Sequence, residues 1–441
     1  MDLAPPPPHP VTHARLFAIA APAIAANITT PLMGIVGTAV IGRLGEAHLL
    51  GGVAMSAVVF DLAFWLFGFL RMGTVALTAQ ALGAGDHGEE RAVLARALII
   101  ALVIGVAVVA LQRPLAQLVY GLMGGSPAVT AAASTYFLVR IWSTPCALGN
   151  YAVLGWLIGL ARVRIAVQLQ IAINTLTIAL TALLVLGLDL GVAGAALAAV
   201  IAEAAGLGAG LVIAWRLIGS RFDLGGRHVL DRARLMRMLA VNRDILIRTA
   251  ALIAAFFFFT ATGARAGDVT LAGNAVLNNL MMFASFFLDG FATAAEQLCG
   301  YAVGARNRTD FERAVRLAVG WGFGFALPLS LGFLVGGTVL IDLMTTSPQV
   351  RETARQFLLF AALAPTAGVL AYAFDGVYVG ATWSPDMRNL MLAALACYLI
   401  AWWVLQSAGN AGLWTALLVF HIARGLFQAA RYPALVRATF P

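Results

Sequence analysis

The stretch PAIAANITTPLMGIVGTAVIGRLG (residues 22–45) decides the fold of this chain. It has no ionisable side chain until its third-last residue, so its apolar part is long enough to cross a bilayer as a helix. Pro22 and Pro31 each remove a backbone hydrogen-bond donor and predict bends in that helix. Gly34 and Gly37 lie three residues apart and would let another helix approach closely. The pattern predicts a kinked membrane helix, which either serves packing alone or is a moving part that bends at Pro22 and Pro31.

The rest of the chain has the same apolar character. Of its 441 residues, 61% are hydrophobic and only 11% are charged, and the mean hydropathy is +0.90. About 20 apolar residues span the hydrocarbon core as a helix, and the segments are too long and too uniform for barrel strands. The sequence therefore predicts an all-α polytopic membrane protein with twelve transmembrane helices. The predicted spans are 14–41, 49–79, 91–111, 130–159, 164–188, 191–216, 237–263, 272–302, 312–337, 353–380, 387–406 and 411–431.

All 28 basic residues are arginine, and their positions indicate the topology. Nineteen lie at Arg15, in alternate loops or after the last span, whereas only five lie in the opposite set of loops. The positive-inside rule then predicts both termini in the cytoplasm, with the chain in a bacterial inner membrane. This distribution explains the net charge of +8 without a nucleic-acid partner.

Three glycine pairs separated by one common offset of 221 residues indicate an internal repeat. In each pair, the two glycines follow spans that have the same number within their halves. Because each half has six spans, the pattern predicts two six-helix lobes of parallel topology, related by a pseudo-two-fold axis along the membrane normal. Two such lobes would enclose a cavity of alternating access, although an ancient duplication with packing constraints also explains the glycines. The pairs are Gly83 and Gly304, Gly155 and Gly376, and Gly159 and Gly380. The predicted organisation is a Pro-rich cytoplasmic tail (1–13), an N-terminal lobe (14–219), a cytoplasmic linker (220–236) and a C-terminal lobe (237–441).

Ionisable side chains inside the spans are costly and are therefore functional candidates. Asp289 and Glu296 lie seven residues apart, so they share one helix face and would share a proton if close enough. The alternative is that the acids form structural pairs with arginines in or near the spans. The acidic candidates are Asp61, Glu203, Asp289, Glu296 and Asp375, and the arginines are Arg71, Arg140, Arg248 and Arg424, with Arg71 itself a transport candidate.

Signatures of catalysis are missing from the sequence. There is no phosphate-binding glycine loop with lysine, no His-Glu-x-x-His and no Gly-x-Ser-x-Gly. Of the six histidines, only His421 lies inside a span, and the three cysteines stand singly. We therefore expect neither an enzyme nor a metal or organic cofactor.

Five blocks of sequence carry a family resemblance. The block PLMGIVGTAVIGRLG is similar to the helix-1 signature of the multidrug and toxic compound extrusion (MATE) transporters, in the branch named after DNA-damage-inducible protein F. The resemblance implies a two-lobe, twelve-helix exporter of organic, often cationic and amphipathic, compounds that works in exchange for H⁺ or Na⁺. The other four blocks, 67–86, 242–249, 287–305 and 374–382, resemble signatures of the same branch.

The resemblance also locates the family's usual cation site in the first lobe. Its positions fall on Gly37, Thr177, Thr181 and Ala199, where many members have an aspartate, an asparagine, a second aspartate and a threonine. No carboxylate remains here, and hydroxyl groups neither titrate in the physiological range nor supply an anionic ligand. We expect this coupling site to be lost.

Three hypotheses for the coupling of transport remain open. Asp61 and Glu203, at positions where the branch often has amides, would relocate the proton-binding charge within the first lobe. Alternatively, Asp289, Glu296 and Asp375 would carry it in the second lobe, or the protein would be an uncoupled facilitator.

The predicted function is secondary active export of cationic or amphipathic organic compounds by alternating access, with H⁺ or Na⁺ as the coupling ion. We expect a monomer whose partners are small organic substrates and membrane lipids. The alternative function is a flippase for lipid-linked sugars or polysaccharides, on a related fold. A cavity lined together by Arg71, Arg140 and Arg248 would favour that alternative.

Overall fold

A computed structural model describes residues 10–219 and 229–441, and these residues are almost entirely helical. Most of the predicted tail 1–13 and linker 220–236 lies outside the described residues. The helices before residue 219 are α1 His13–Gly42, α2 Ala47–Phe67, α3 Phe69–Ala84, α4 His87–Ala110, α5 Gln112–Met123, α6 Pro127–Arg140, α7 Thr144–Gly159, α8 Val163–Ala182 and α9 Gly191–Ile218. Those after residue 229 are α10 Arg232–Arg265, α11 Asp268–Gly304, α12 Arg308–Met344, α13 Pro348–Gly380, α14 Ser384–Leu405 and α15 Gly409–Thr439.

Each of the twelve predicted spans falls on these helices. Ten helical stretches in the described residues are long and apolar enough to cross a membrane, with α2 joined to α3 and α14 joined to α15. The fourth predicted span is divided between α6 and α7, because the 3₁₀ turn Ile141–Ser143 separates two helices that are each too short to cross alone. Counting α6 with α7 as one crossing, and α14 and α15 as two, gives twelve.

One short helix was not predicted from the sequence. The spans leave residues 112–129 without a helix, but α5 occupies Gln112–Met123. Ala116 and Tyr120 on one face are buried, whereas Leu118 on the other is 61% exposed. Twelve residues with one apolar face are too few to cross a bilayer, which is why a search for long spans misses α5.

The chain divides into two compact units. The first unit contains Ala25–Leu82 and the described part of Asp86–Leu239, and the second contains residues 10–24, Gly83–Gly85 and Ala240–Pro441. Helix α1 therefore begins in the second unit and ends in the first, and α10 passes from the first to the second. The predicted lobe boundaries remain a prediction, since these units are defined by packing and not by order along the chain.

In the first unit, glycines bring α7 into close contact with α3. A Cβ atom on Gly155 would lie 2.6 Å from the carbonyl oxygen of Arg71, and one on Gly159 would lie 2.8 Å from that of Val75. Real side chains do not tolerate such distances from backbone atoms. Only glycine therefore allows α3 and α7 to approach this closely.

The second unit repeats this packing between α13 and α11. A Cβ atom on Gly376 would lie 2.1 Å from the carbonyl oxygen of Ala292, and one on Gly380 would lie 2.3 Å from that of Glu296. Both the glycines and the residues they contact are displaced by 221 positions from those of the first unit. The repeat seen in the sequence is thus a repeat of helix packing.

The turn before the next helix is repeated in the same way. Gly85 and Arg306, again 221 positions apart, both have a left-handed backbone, with φ of 67° and 52°. Asp86 and Asn307 follow them, and the side chain of each accepts a hydrogen bond from the backbone N–H three residues later, at 2.9 and 3.0 Å. These N-caps fix the beginnings of α4 and α12.

A third cap lies where the described residues resume after the linker. The Asp231 carboxylate accepts hydrogen bonds from the backbone N–H groups of Arg234, at 3.1 Å, and Ala233, at 2.9 Å. These bonds, that from Arg234 first, lower the pKa of the Asp231 carboxyl below its ordinary value. A negative charge is thereby held at the N-terminus of α10, where the helix dipole favours it.

The close approach of α13 to α11 predicts the effect of a single methyl group. Gly376→Ala places Cβ against backbone that cannot move aside, and we expect a loss of about 1–3 kcal/mol in stability. Thermal unfolding of the purified protein in detergent measures this. The control is Gly320→Ala on α12, where a Cβ meets nothing within 4 Å. It should leave the melting temperature unchanged or slightly raised, and equal effects of the two substitutions would contradict the packing argument.

Candidate functional site

The second unit contains a buried carboxylate held by two arginines. Asp375 on α13 is 4% exposed, and its Oδ2 atom accepts hydrogen bonds from Arg248 on α10 and from Arg424 on α15, the latter at 2.6 Å. Gln428, one turn beyond Arg424, donates from Nε2 to Oδ1 at 2.8 Å. Of the two possibilities left open by the sequence, a structural ion pair is the arrangement found for Asp375.

Two further acids lie close to the same arginines. Asp289, on α11, is partly buried and interacts electrostatically with Arg248 and Arg424. Glu296, two turns further along α11, is buried and interacts electrostatically with Arg248. The spacing of seven thus directs both carboxylates to one cationic side chain. The cluster combines two guanidinium groups with three carboxyl groups, so the arginines compensate most of its negative charge.

Removal of the central carboxylate should be costly. Asp375→Asn leaves Arg248 and Arg424 without their anionic partner, and we expect a loss of about 3–5 kcal/mol in stability. The matched control is Asp342→Asn at the end of α12, because Asp342 pairs with the partly exposed Arg351 and Arg355. That pair should contribute less than about 1 kcal/mol. Thermal unfolding in detergent compares the two, and an Asp375→Asn protein as stable as the control would contradict a structural role.

The first unit contains a carboxylate with a different partner. Glu203, on α9, is partly buried, and its Oε2 atom accepts a hydrogen bond from Asn150 Nδ2 at 2.7 Å. The same Asn150 nitrogen lies 2.9 Å from the Glu203 carbonyl oxygen, so the amide is fixed on α9. Asn150 is buried on α7, and its neutral amide does not compensate the carboxylate charge.

Other charged side chains surround Glu203. The charge of Arg140, at the end of α6, acts on both Glu203 and the exposed Asp61 of α2. Tyr151, next to Asn150 on α7, lies within electrostatic range of Asp61, Glu203, Arg71 and Arg140. The structure thus brings together three of the predicted site residues, Asp61, Arg71 and Glu203, around one tyrosine.

Sequence reasoning missed Asn150 and Tyr151. Apart from the positions of the family's cation site and the helix-1 prolines, it selected residues inside the spans by their charge, and neither an amide nor a phenol is charged at neutral pH. The signal that identifies Asn150 is a strongly polar side chain in the otherwise apolar run ALGNYAVLGW (147–156).

The positions of the family's usual cation site are found in the first unit. Thr177 and Thr181 on α8 are buried, and their hydroxyls donate to the carbonyl groups of Ile173, at 2.9 Å, and of Thr177, at 2.8 Å. Ala199 is buried on α9, and a Cβ on Gly37 would meet nothing within 4 Å. Both hydroxyl protons are therefore used within α8, and the four positions offer no charged ligand.

The two helix-1 prolines lie within a continuous helix. Helix α1 runs from His13 to Gly42 through Pro22 and Pro31, and the change from the second unit to the first occurs between residues 24 and 25, just after Pro22. Beyond that point, Thr29 accepts a hydrogen bond from Asn174 Nδ2 on α8 at 3.1 Å. Bending at the two prolines remains a prediction.

An all-helical membrane chain built from two repeated units, each with charged side chains inside its spans, has the features of a transporter. The MatE family model matches residues 22–188 and 245–404, which are more than half of the chain, and the protein belongs to this family. DNA damage-inducible protein F of Escherichia coli (strain K12) is 40% identical to it over 417 residues, which are 94% of this chain and 91% of that protein. Multidrug resistance protein PmpM of Pseudomonas aeruginosa is 23% identical, over 92% of this chain and 88% of that protein.

Solved structures share the fold. The Vibrio cholerae MATE transporter VcmN in its bent form matches with a TM-score of 0.86 at 21% identity, over 97% of each chain. The outward-facing conformation of a multidrug resistance MATE family transporter matches with a TM-score of 0.82 at 20% identity, over 96% of each chain. These findings confirm the predicted family and the predicted all-α, twelve-helix, two-lobe membrane fold. Membrane transporters of this family are in general not enzymes.

Proposed function

We propose that this protein is a secondary active exporter that moves amphipathic organic compounds with a cationic group by alternating access, in antiport with H⁺. The family assignment and the relatives that carry the name multidrug resistance protein support export. The arginine distribution supports a bacterial inner membrane with both termini in the cytoplasm. The transported molecule and the surrounding lipids would be the partners of a monomer.

The observation that carries the proposal is the contrast between Glu203 and Asp375. Asp375 is held by two guanidinium groups, so a proton would have to displace two cations from a buried carboxylate. Glu203 accepts from a neutral amide. Protonation of Glu203 therefore displaces no cation and weakens only this one hydrogen bond. Glu203 can therefore gain and lose a proton more readily than Asp375 during a transport cycle.

The surroundings of Glu203 favour H⁺ over Na⁺. A hard cation takes several oxygen ligands, preferably with negative charge. Around Glu203, Asn150 presents its nitrogen and Arg140 presents a positive charge. A proton needs only the carboxylate itself, so it fits a site that lacks a set of oxygen ligands.

A coupled cycle follows from competition at this carboxylate. The ionised Glu203 and Asp61 attract the cationic group of a substrate. Protonation of Glu203 from the outside removes that attraction and releases the substrate, and loss of the proton to the cytoplasm restores it. Because proton and substrate bind the same group in turn, each weakens the binding of the other.

The alternative functions have less support. Arg248 is bound to Asp375, so its charge is already compensated within the chain, which weakens the support for a flippase site that needs three free arginines. An uncoupled facilitator remains the alternative that the loss of carboxylates at Gly37 and Thr181 favours.

Proteoliposomes loaded with the cationic dye rhodamine 123 test the proposal. An imposed pH gradient should drive dye accumulation and a sodium gradient should not. Glu203→Gln should lower the pH-driven accumulation by about tenfold or more, because a permanently neutral group cannot exchange a proton for the dye. Asp61→Asn should lower dye affinity and retain part of the pH response.

The matched control is Asp342→Asn, which removes a partly exposed acid outside the first unit and should behave as the native protein. Native pH-driven accumulation in the Glu203→Gln protein would overturn the role of Glu203. Accumulation driven by sodium would overturn the choice of ion. Downhill dye flux that responds to neither gradient would identify a facilitator.

A further inference from the structure

Two arginines of the first unit differ from those of the second. Arg71 on α3 and Arg140 on α6 are partly buried in spans predicted to cross the membrane. Within the described parts of the chain, neither guanidinium donates a hydrogen bond, and neither lies within 4 Å of a carboxylate. Arg248 and Arg424, in contrast, both bind Asp375.

An arginine without a bound anion is costly inside an apolar span. Each guanidinium carries five N–H donors and a charge that cannot be removed by deprotonation. Inside an apolar span such a group is retained where it pairs, faces water or acts on a transported molecule. Because the neighbouring acids do not pair directly with Arg71 and Arg140, these guanidinium groups can bind an anionic group from outside the chain.

The neighbours of these arginines also fit a flat organic molecule. The Arg140 guanidinium lies over the ring of Phe60, 5.4 Å from its centre. Phe60 is 5.8 Å from Phe64, which is 6.4 Å from Tyr151 between ring centres. Phe60 is only 5% exposed and belongs to the core of this unit, whereas Phe64 and Tyr151 are partly buried. Phe64 and Tyr151 are therefore the rings that can face a planar, amphipathic guest.

The charges of the site are balanced. Arg71 and Arg140 contribute two positive charges, and Asp61 and Glu203 contribute two negative charges when ionised, all within electrostatic range of Tyr151. A guest with a single cationic group would satisfy the acids and leave both arginines without an anion. A guest that carries both signs matches the whole set.

We infer that this site takes zwitterionic amphipathic compounds, whose carboxylate or sulfonate is bound by Arg71 and Arg140 and whose cationic group is bound by Glu203 and Asp61. The inference rests on the proposed export function only for the statement that such compounds are transported. Binding itself requires no gradient. The rings of Phe64 and Tyr151 would contact the planar part of the guest, while Phe60 supports Arg140 from the core.

A pair of dyes that differ by one methyl group tests the inference. Rhodamine 110 carries a cationic ring system and a free carboxylate, and rhodamine 123 is its methyl ester, which retains only the cation. Fluorescence anisotropy with the full-length protein in lipid nanodiscs, at neutral pH, gives both affinities. We expect the native protein to bind rhodamine 110 about tenfold or more tightly than rhodamine 123, since charge-assisted hydrogen bonds to the carboxylate are lost in the ester.

Substitution of the arginines should remove the preference. In Arg71→Gln and Arg140→Gln the affinity for rhodamine 110 should fall towards that for rhodamine 123, while the ester binds as before or more tightly. Arg140→Lys keeps the charge and should retain part of the preference. The matched control is Arg113→Gln, which removes an exposed arginine of α5 in the same unit and should not change the ratio.

The outcomes separate this inference from the proposed function. Equal binding of the two dyes by the native protein would overturn the zwitterion site, and this measurement does not depend on any variant folding. An equal loss of both dyes in the arginine variants would assign Arg71 and Arg140 a structural role and overturn it too. Because binding is measured without a gradient, failure of H⁺ coupling in proteoliposomes leaves the dye preference unaffected.

Discussion

The cost of a charge inside an apolar helix governs both units of this protein. In the second unit the chain supplies its own counter-charges, because Arg248 and Arg424 both bind the buried carboxylate of Asp375. In the first unit the charged side chains lack such direct ion pairs, because Glu203 has an amide as its hydrogen-bond partner and Arg140 lies over an aromatic ring. The second unit thus holds its helices together through direct ion pairs, whereas the charged side chains of the first unit are the ones to which we assign the binding of a guest.

The repeat conserves backbone geometry and changes chemistry. The glycine contacts of α3 with α7 recur between α11 and α13, and the left-handed turn at Gly85 recurs at Arg306, always at an offset of 221. The same offset relates Glu203 on α9 to Arg424 on α15, so one position carries opposite charges in the two halves. Backbone contacts tolerate little variation because an added Cβ would collide, whereas a side chain that points into a polar cluster can change sign if its partners change as well.

Much of the fold could be predicted from the sequence. Long apolar runs fixed the twelve spans, the spacing of glycines revealed the repeat, and the helix-1 stretch identified the family. Helix α5 could not be found this way, because twelve residues with one apolar face give no membrane-length signal. The pairing inside the site was also beyond reach. Nothing in the order of residues says that Asp375 accepts from two arginines located 127 and 49 positions away while Glu203 accepts from an amide, because such pairing is set by helix packing.

The division of α1 between the units has a consequence for synthesis of the chain on the ribosome. Phe17 packs edge to face on Phe291 and Trp321, and the Val11 backbone donates to Asp310. These partners are translated roughly 300 residues after the segment they hold, as the 299-residue separation of Val11 from Asp310 shows. The first turns of α1 therefore reach their final neighbours only when most of the protein has been inserted. Until then the beginning of the chain lacks its tertiary contacts, and the second unit is completed by the earliest residues made.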